Sequence, residues 1–278
     1  MDHALTDVVL VDVNERVATI TLNRPEVRNA INGELGAALA RAVGDFEARD
    51  DVDVMILTGA DPAFCAGADL NEISAGRDPA GLLTDPNDPY RRDEVGKFVF
   101  RGPFPPRTKL LIGAINGPAI TGGFELALNC DLLVASERAR FADTHARVGV
   151  MPGWGLTVLL VEAVGLRRAR ELSTTGNFCS AEQALTWGLV NHVVAHDELL
   201  PFSRQLALAA VHNDTAGVRR MLATYDQIAA SMYDAGWAIE DAVNREWWTQ
   251  TFDPSELVRR RGGVIARGRR QVDERDRT

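Results

Sequence analysis

The chain has 278 residues, 46% hydrophobic and 25% charged, with 30 Lys and Arg against 39 Asp and Glu for a formal net charge of −9. That length carries one large domain or two small ones with a sizeable core, and the composition excludes a mainly disordered chain. The acidic excess speaks against nucleic acid, which demands a basic footprint, and no apolar run is long enough to predict a membrane span. Met1-Asp2-His3 starts no basic-then-apolar leader, so the expectation is a soluble, cytoplasmic protein. Cys65, Cys130 and Cys179 are few and far apart and read as reduced small hydrophobes. Five histidines without metal-motif spacing predict no metal site.

In chain order, Val8–Val11 and Val17–Leu22 alternate, are rich in β-branched residues and flank Asn14-Glu15, which predicts a hairpin. Leu35, Leu39, Val43 and Phe46 recur at helical spacing behind Asn32 as a candidate N-cap. Val52–Leu57, Leu110–Ile115, Leu132–Ala135 and Leu189–Val194 are strand candidates beside helical stretches, an alternation that favours α/β architecture. Residues 76–89, with Gly, Asp and Pro and little periodicity, read as a mobile surface loop. After Asp197 the pattern is helical: Leu199–Val211, Ala216–Met232, Trp237–Thr251 and a last helix from Pro254. The expected division is a core over 1–200 and a helical region over 201–278. Only Lys97 and Lys109 are lysines, and Val258–Thr278 holds eight arginines against three acids, a solvated face or a surface for phosphates or for an acidic neighbouring subunit.

Two loops carry the chemistry. Phe64-Cys65-Ala66-Gly67-Ala68-Asp69-Leu70 follows a strand, and its small residues let a ligand approach the backbone, while Asp69 and Glu72 suggest a helix start. Asn116-Gly117-Pro118-Ala119-Ile120-Thr121-Gly122-Gly123-Phe124-Glu125-Leu126 also joins a strand to a helix. Amides at helix starts are unpaired within the helix, and two converging on one point would form an oxyanion hole.

These blocks, with Leu22-Asn23-Arg24-Pro25, Asn29-Ala30, Cys130-Asp131, Pro152-Gly153 and Ala184-Leu185…Gly188-Leu189-Val190, resemble the crotonase, or enoyl-CoA hydratase/isomerase, superfamily. The resemblance runs from about residue 8 to 200. It implies a spiral of ββα turns with C-terminal helices supporting a trimer or hexamer, and an acyl-CoA thioester substrate. Carried over, the amides of Ala68 and Gly122 would bind the thioester oxygen, and Glu125, one turn after Gly122, would be one of two acids that activate water. Arg28 is a candidate for the coenzyme A phosphates, with Ala66, Ala68, Asp69 and Gly122 along the bound molecule. No cofactor is implied, because coenzyme A is part of the substrate.

At the second acid the sequence departs, with His145 standing there within Phe141–Gly149. Histidine exchanges a proton near its ordinary value of about 6.5, moved by burial or by Asp143, which would share its face if the segment were a strand. The expected function is hydration of a 2-enoyl-CoA, as in fatty acid metabolism. The alternatives are isomerisation, decarboxylation or thioester hydrolysis in the same pocket, or a non-catalytic acyl-CoA-binding protein. Trp154 could shorten the acyl pocket or simply pack. Trp237, Trp247 and Trp248 are candidate anchors between subunits.

Overall fold

A computed structural model describes residues 7–75 and 102–273. The segment read as a mobile loop, 76–89, lies outside the described residues. The chain runs β1 (Val9–Asn14), β2 (Val17–Leu22), α1 (Gly33–Ala48), β3 (Val54–Gly59), α2 (Leu70–Ser74), β4 (Leu110–Ile115), β5 (Pro118–Ile120), α3 (Gly122–Leu128), β6 (Leu132–Ser136), β7 (Arg140–Ala142) and α4 (His145–Val148). There follow α5 (Leu156–Val164), α6 (Leu166–Thr175), β8 (Cys179–Ser180), α7 (Ala181–Trp187), β9 (His192–Val194), α8 (Leu199–Val211), α9 (Thr215–Glu246) and α10 (Pro254–Asp273).

One six-stranded sheet has the order β1-β2-β3-β4-β6-β9, antiparallel only at the β1–β2 hairpin. Its central strands are buried on both faces, as parallel strands covered by helices must be. Alternation sorts their side chains. Met55, Leu57, Leu111 and Ile115 join the main core with α1, α3 and α5, while Val54, Ile56, Leu110, Ile112 and Val134 face Leu199 and Ala207 of α8. Asn32 caps α1 as its sequence suggests, accepting the Leu35 amide at 2.9 Å.

A second, smaller sheet has the order β5-β7-β8. Each time the chain leaves the large sheet it adds a short strand here and then turns into a helix: β4-β5-α3, then β6-β7-α4. The turn before follows the same course with a single bridging residue, because Cys65 pairs with Ala119 in parallel between β3 and α2. Cys65, Ala119 and Phe141 are therefore level across three successive turns. Three residues further on, Ala68 and Gly122 lie close together, a Cβ on Gly122 falling 3.6 Å from the Ala68 nitrogen.

One expectation changes. Ala216–Met232 and Trp237–Thr251 are not separate helices, since α9 runs unbroken to Glu246 and a π-helical turn covers Trp247–Thr251. Gly236, within this helix, permits close approach: a Cβ there would meet Val158 of α5 at 3.3 Å. Among the described residues no helix is long and apolar enough to cross a membrane.

Candidate active site

The residues after the three level strands converge. Gly67 O accepts the Ile31 amide at 2.8 Å and the Asp69 amide donates to Ile31 O at 2.8 Å. Because N–H groups alternate along an extended segment, the intervening Ala68 amide points the other way, toward α3. Gly122 is there, since a Cβ on it would lie 3.6 Å from the Ala68 nitrogen. Gly67 has φ +90°, and a Cβ on it would sit 2.7 Å from Ile120 O, so the approach of the two loops requires glycine. Thr121 also takes a positive φ, 55°, unusual for a β-branched residue, with its hydroxyl 2.5 Å from that of Thr144. Such an outlier sets the direction of the Gly122 amide that follows it.

Glu125 lies in the first turn of α3 and is 1% exposed. Its Oε1 accepts the amides of Gly153 and Trp154 at 3.2 and 2.8 Å. Its Oε2 faces His145 Nε2 at 3.5 Å. On the other side of the ring, Nδ1 meets Asp143 Oδ1 at 2.7 Å. Asp143 and His145 do not share a strand face as expected: β7 ends at Ala142, and Asp143 makes an Asx turn by accepting the His145 amide at 3.1 Å.

Burial alone would pull the imidazole down, but hydrogen bonds to Asp143 and Glu125, with their two charges, outweigh it and hold His145 at about 10. The ring is thus an imidazolium at neutral pH. Asp143 is displaced the opposite way, its burial outweighed by the hydrogen bond and charge of His145, so its carboxyl stays below the ordinary range. Chemically, the backbone donors engage Glu125 Oε1, while Glu125 Oε2 faces a proton donor, His145 Nε2.

The remaining expected residues surround this centre less closely. The Ala66 amide is taken by Arg28 O at 3.0 Å, which ties Arg28, exposed and with φ 56°, to the first loop. Asp69 caps α2 through the Asn71 amide at 3.0 Å and pairs with Arg24 at 3.3 Å, so its carboxylate is engaged within the loop. Glu72 caps α1, not its own helix, by accepting the Gly33 amide at 3.0 Å. The Trp154 ring belongs to the main core. Ala68 and Leu70 border a small apolar cluster of Ile73, Val148, Val150 and Leu257, closed by Trp248 and Phe252 from beyond α9.

The enoyl-CoA hydratase/isomerase family profile matches residues 12–250. The chain belongs to this family. It is 40% identical over 205 residues to a probable peroxisomal enoyl-CoA hydratase 1 of Arabidopsis thaliana, covering 74% of this chain and 73% of that protein. It is 36% identical over 216 residues to the 1,2-epoxyphenylacetyl-CoA isomerase of Escherichia coli, covering 77% and 80%. The crystal structure of an enoyl-CoA hydratase from Mycobacterium tuberculosis superposes with a TM-score of 0.76 at 47% identity, over 87% of this chain and 98% of that one. The fold is accordingly the crotonase fold of this enoyl-CoA hydratase/isomerase enzyme family.

Sequence reasoning missed Glu240 and Asn244 of α9, both buried against the loop that holds Glu125. Their signal was available: two polar residues at i, i+4 between Trp237 and Trp247 on one helical face.

Proposed function

We propose that this family member adds water to a 2-enoyl-CoA thioester through an enolate. The observation that carries the reading is the 3.5 Å pairing of Glu125 Oε2 with His145 Nε2 behind the paired loops of Ala68 and Gly122. The thioester oxygen accepts the two amides, which stabilise the charge that grows there as the enolate forms. Glu125 Oε2 removes a proton from water as its oxygen bonds to the β-carbon. The His145 imidazolium delivers a proton to the α-carbon. Glu125, now protonated, and neutral His145 then face each other, and one transfer from Oε2 to Nε2 restores both. The apolar cluster beside Ala68 and Leu70 suits the acyl chain, and Arg28 beside the first loop suits the phosphates. No cofactor enters beyond the coenzyme A of the substrate.

On the same reading the protein is a cytoplasmic trimer or hexamer. Support for assembly comes from α9, where Met221, Tyr225, Ile228, Met232 and Ile239 form an exposed apolar stripe at heptad spacing. Trp237, Trp247 and Trp248 are not part of it. Trp237 covers Gly155, Trp247 Nε1 donates to Gly149 O at 2.9 Å, and Trp248 packs on Phe252.

The test is product analysis by mass on short 2-enoyl-, 3-enoyl- and β-ketoacyl-CoA thioesters. Hydration of the 2-enoyl thioester is expected, and Glu125→Gln should slow it by roughly 10²–10⁴-fold while thioester binding is kept. Double-bond migration without gain of water, or release of free coenzyme A thiol, as the only reaction would replace hydration with isomerisation or hydrolysis.

A further inference from the structure

The backbone amides at the head of α5 form a row shared by two carboxylates. Gly153 and Trp154 donate to Glu125, as described. Gly155 donates to Glu240 Oε1 at 2.5 Å and Thr157 to Glu240 Oε2 at 2.7 Å, with the Thr157 hydroxyl donating to the same oxygen. One turn further along α9, Asn244 Nδ2 donates to the carbonyls of Met151 and Pro152 at 3.0 and 2.9 Å. The Trp237 ring closes over Gly155, where a Cβ would overlap it at 2.0 Å. One face of α9 therefore grips the segment 151–157 along its length.

Glu240 is 6% exposed, deep enough that only its three donors make a carboxylate tolerable. Burial, then the charge of Glu125, pushes its carboxyl above the ordinary range, against the hydrogen bonds from Thr157 and Gly155. A carboxylate here does nothing for the core that an apolar residue would not do at lower cost. Its geometry matters instead. With amides 155 and 157 anchored on Glu240, the preceding amides 153 and 154 are aimed at Glu125 Oε1, and only Oε2 is left for His145.

We infer that Glu240, assisted by Asn244, is a positioning residue for Glu125: it anchors the far end of the amide row and so determines which carboxylate oxygen faces His145. The inference rests on Glu125 being the base proposed above.

The test measures kcat and KM on a short 2-enoyl-CoA, normalised to active sites titrated calorimetrically with butyryl-CoA. Glu240→Gln keeps the shape but sets an amide N–H against a row of N–H donors. Its kcat per site should fall roughly ten- to a hundredfold, the effect of disturbing a charged hydrogen bond, with KM unmoved. In the Glu125→Gln background the same substitution should cost nothing further, because two residues acting through one group are not additive. Equal losses in both backgrounds, or an unchanged kcat per site, would overturn the inference. Should Glu240→Gln fail to fold, Thr157→Val removes one donor at constant shape and should lower kcat about threefold or more at unmoved KM. An unchanged kcat there overturns the inference equally. Full activity of Glu125→Gln by itself would instead remove the base assignment beneath it.

Discussion

Asp143 holds His145 twice, through the ring at Nδ1, 2.7 Å, and through the backbone amide, 3.1 Å, with the same oxygen. The ring is thereby fixed with Nε2 toward Glu125, and it carries a proton through neutral pH. At the position where the family resemblance implies a second acid, this chain has a cation held between two carboxylates.

The pH profile follows from that cation. His145 is raised from 6.5 to about 10, so its charged form should support turnover across neutral pH and be lost as pH rises toward 10. The same pairing contributes stability that is complete below 6.5 and vanishes as pH rises through about 10. His145→Gln should lower turnover and erase the alkaline limb, and Asp143→Asn should move that limb to lower pH. A pH–rate profile identical in wild type and His145→Gln would reduce His145 to a wall of the pocket.

Restoring an acid at this position is not a simple gain. His145→Glu places a third carboxyl beside Asp143 and Glu125, where like charges oppose ionisation. The single variant should melt earlier as pH rises above neutrality, and adding Asp143→Asn should recover both melting temperature and hydration. A single variant that outperforms wild type at alkaline pH would contradict this.

Neighbouring glycines should separate chemistry from folding. At Gly122 a Cβ makes only ordinary contacts, 3.6 Å to both the Ala68 nitrogen and Ile31 Cδ1, so Gly122→Ala should keep its melting temperature. Its methyl fills space in front of the Ala68 amide, and kcat/KM should fall about a hundredfold. At Gly123 a Cβ would strike Cys65 O at 2.2 Å, so Gly123→Ala should fail to fold. Unimpaired turnover in Gly122→Ala would exclude the two amides as the thioester site.

The exposed stripe on α9 carries the assembly expectation. Met232 is 66% exposed and Tyr225 65%, so aspartate at either position is harmless to the isolated chain. Both variants should shift light scattering from a trimer or hexamer to a monomer. A wild-type protein already monomeric at micromolar concentration would dispose of the assembly altogether.

The large sheet was readable because its strands are long enough to show a period. Leu110–Ile115 is the observed β4, the hairpin and α1 are where expected, and β1 runs three residues further, to Asn14. By contrast β5, β7 and β8 span two or three residues, too few for any period, and owe their pairing to neighbouring turns. Of Leu189–Val194 only His192–Val194 pairs, because the segment reaches β6 over that stretch alone. The candidate site residues were named from the motif, whereas the Asx turn that Asp143 makes with the His145 amide replaces the expected strand, and the proton on His145 also depends on Glu125 arriving from another segment. Glu240 carried a local signal in its i, i+4 spacing with Asn244 between Trp237 and Trp247, but its carboxylate's partners, the amides of Gly155 and Thr157, lie 83 to 85 positions away and no local pattern names them.

Helix α5 has no acidic residue in its own first turn. The charges at its head are borrowed from residues separated from their amide partners by 28 to 29 positions on one side and by 83 to 85 on the other. Closing such long loops comes late in folding relative to local helix formation. During refolding the helical dichroism should therefore return before enzymatic rate does, with the rate appearing only once α9 docks. Catalytic competence in this enzyme is then a report on the completion of its C-terminal half, and a chain truncated before Glu240 would be folded in part yet chemically silent.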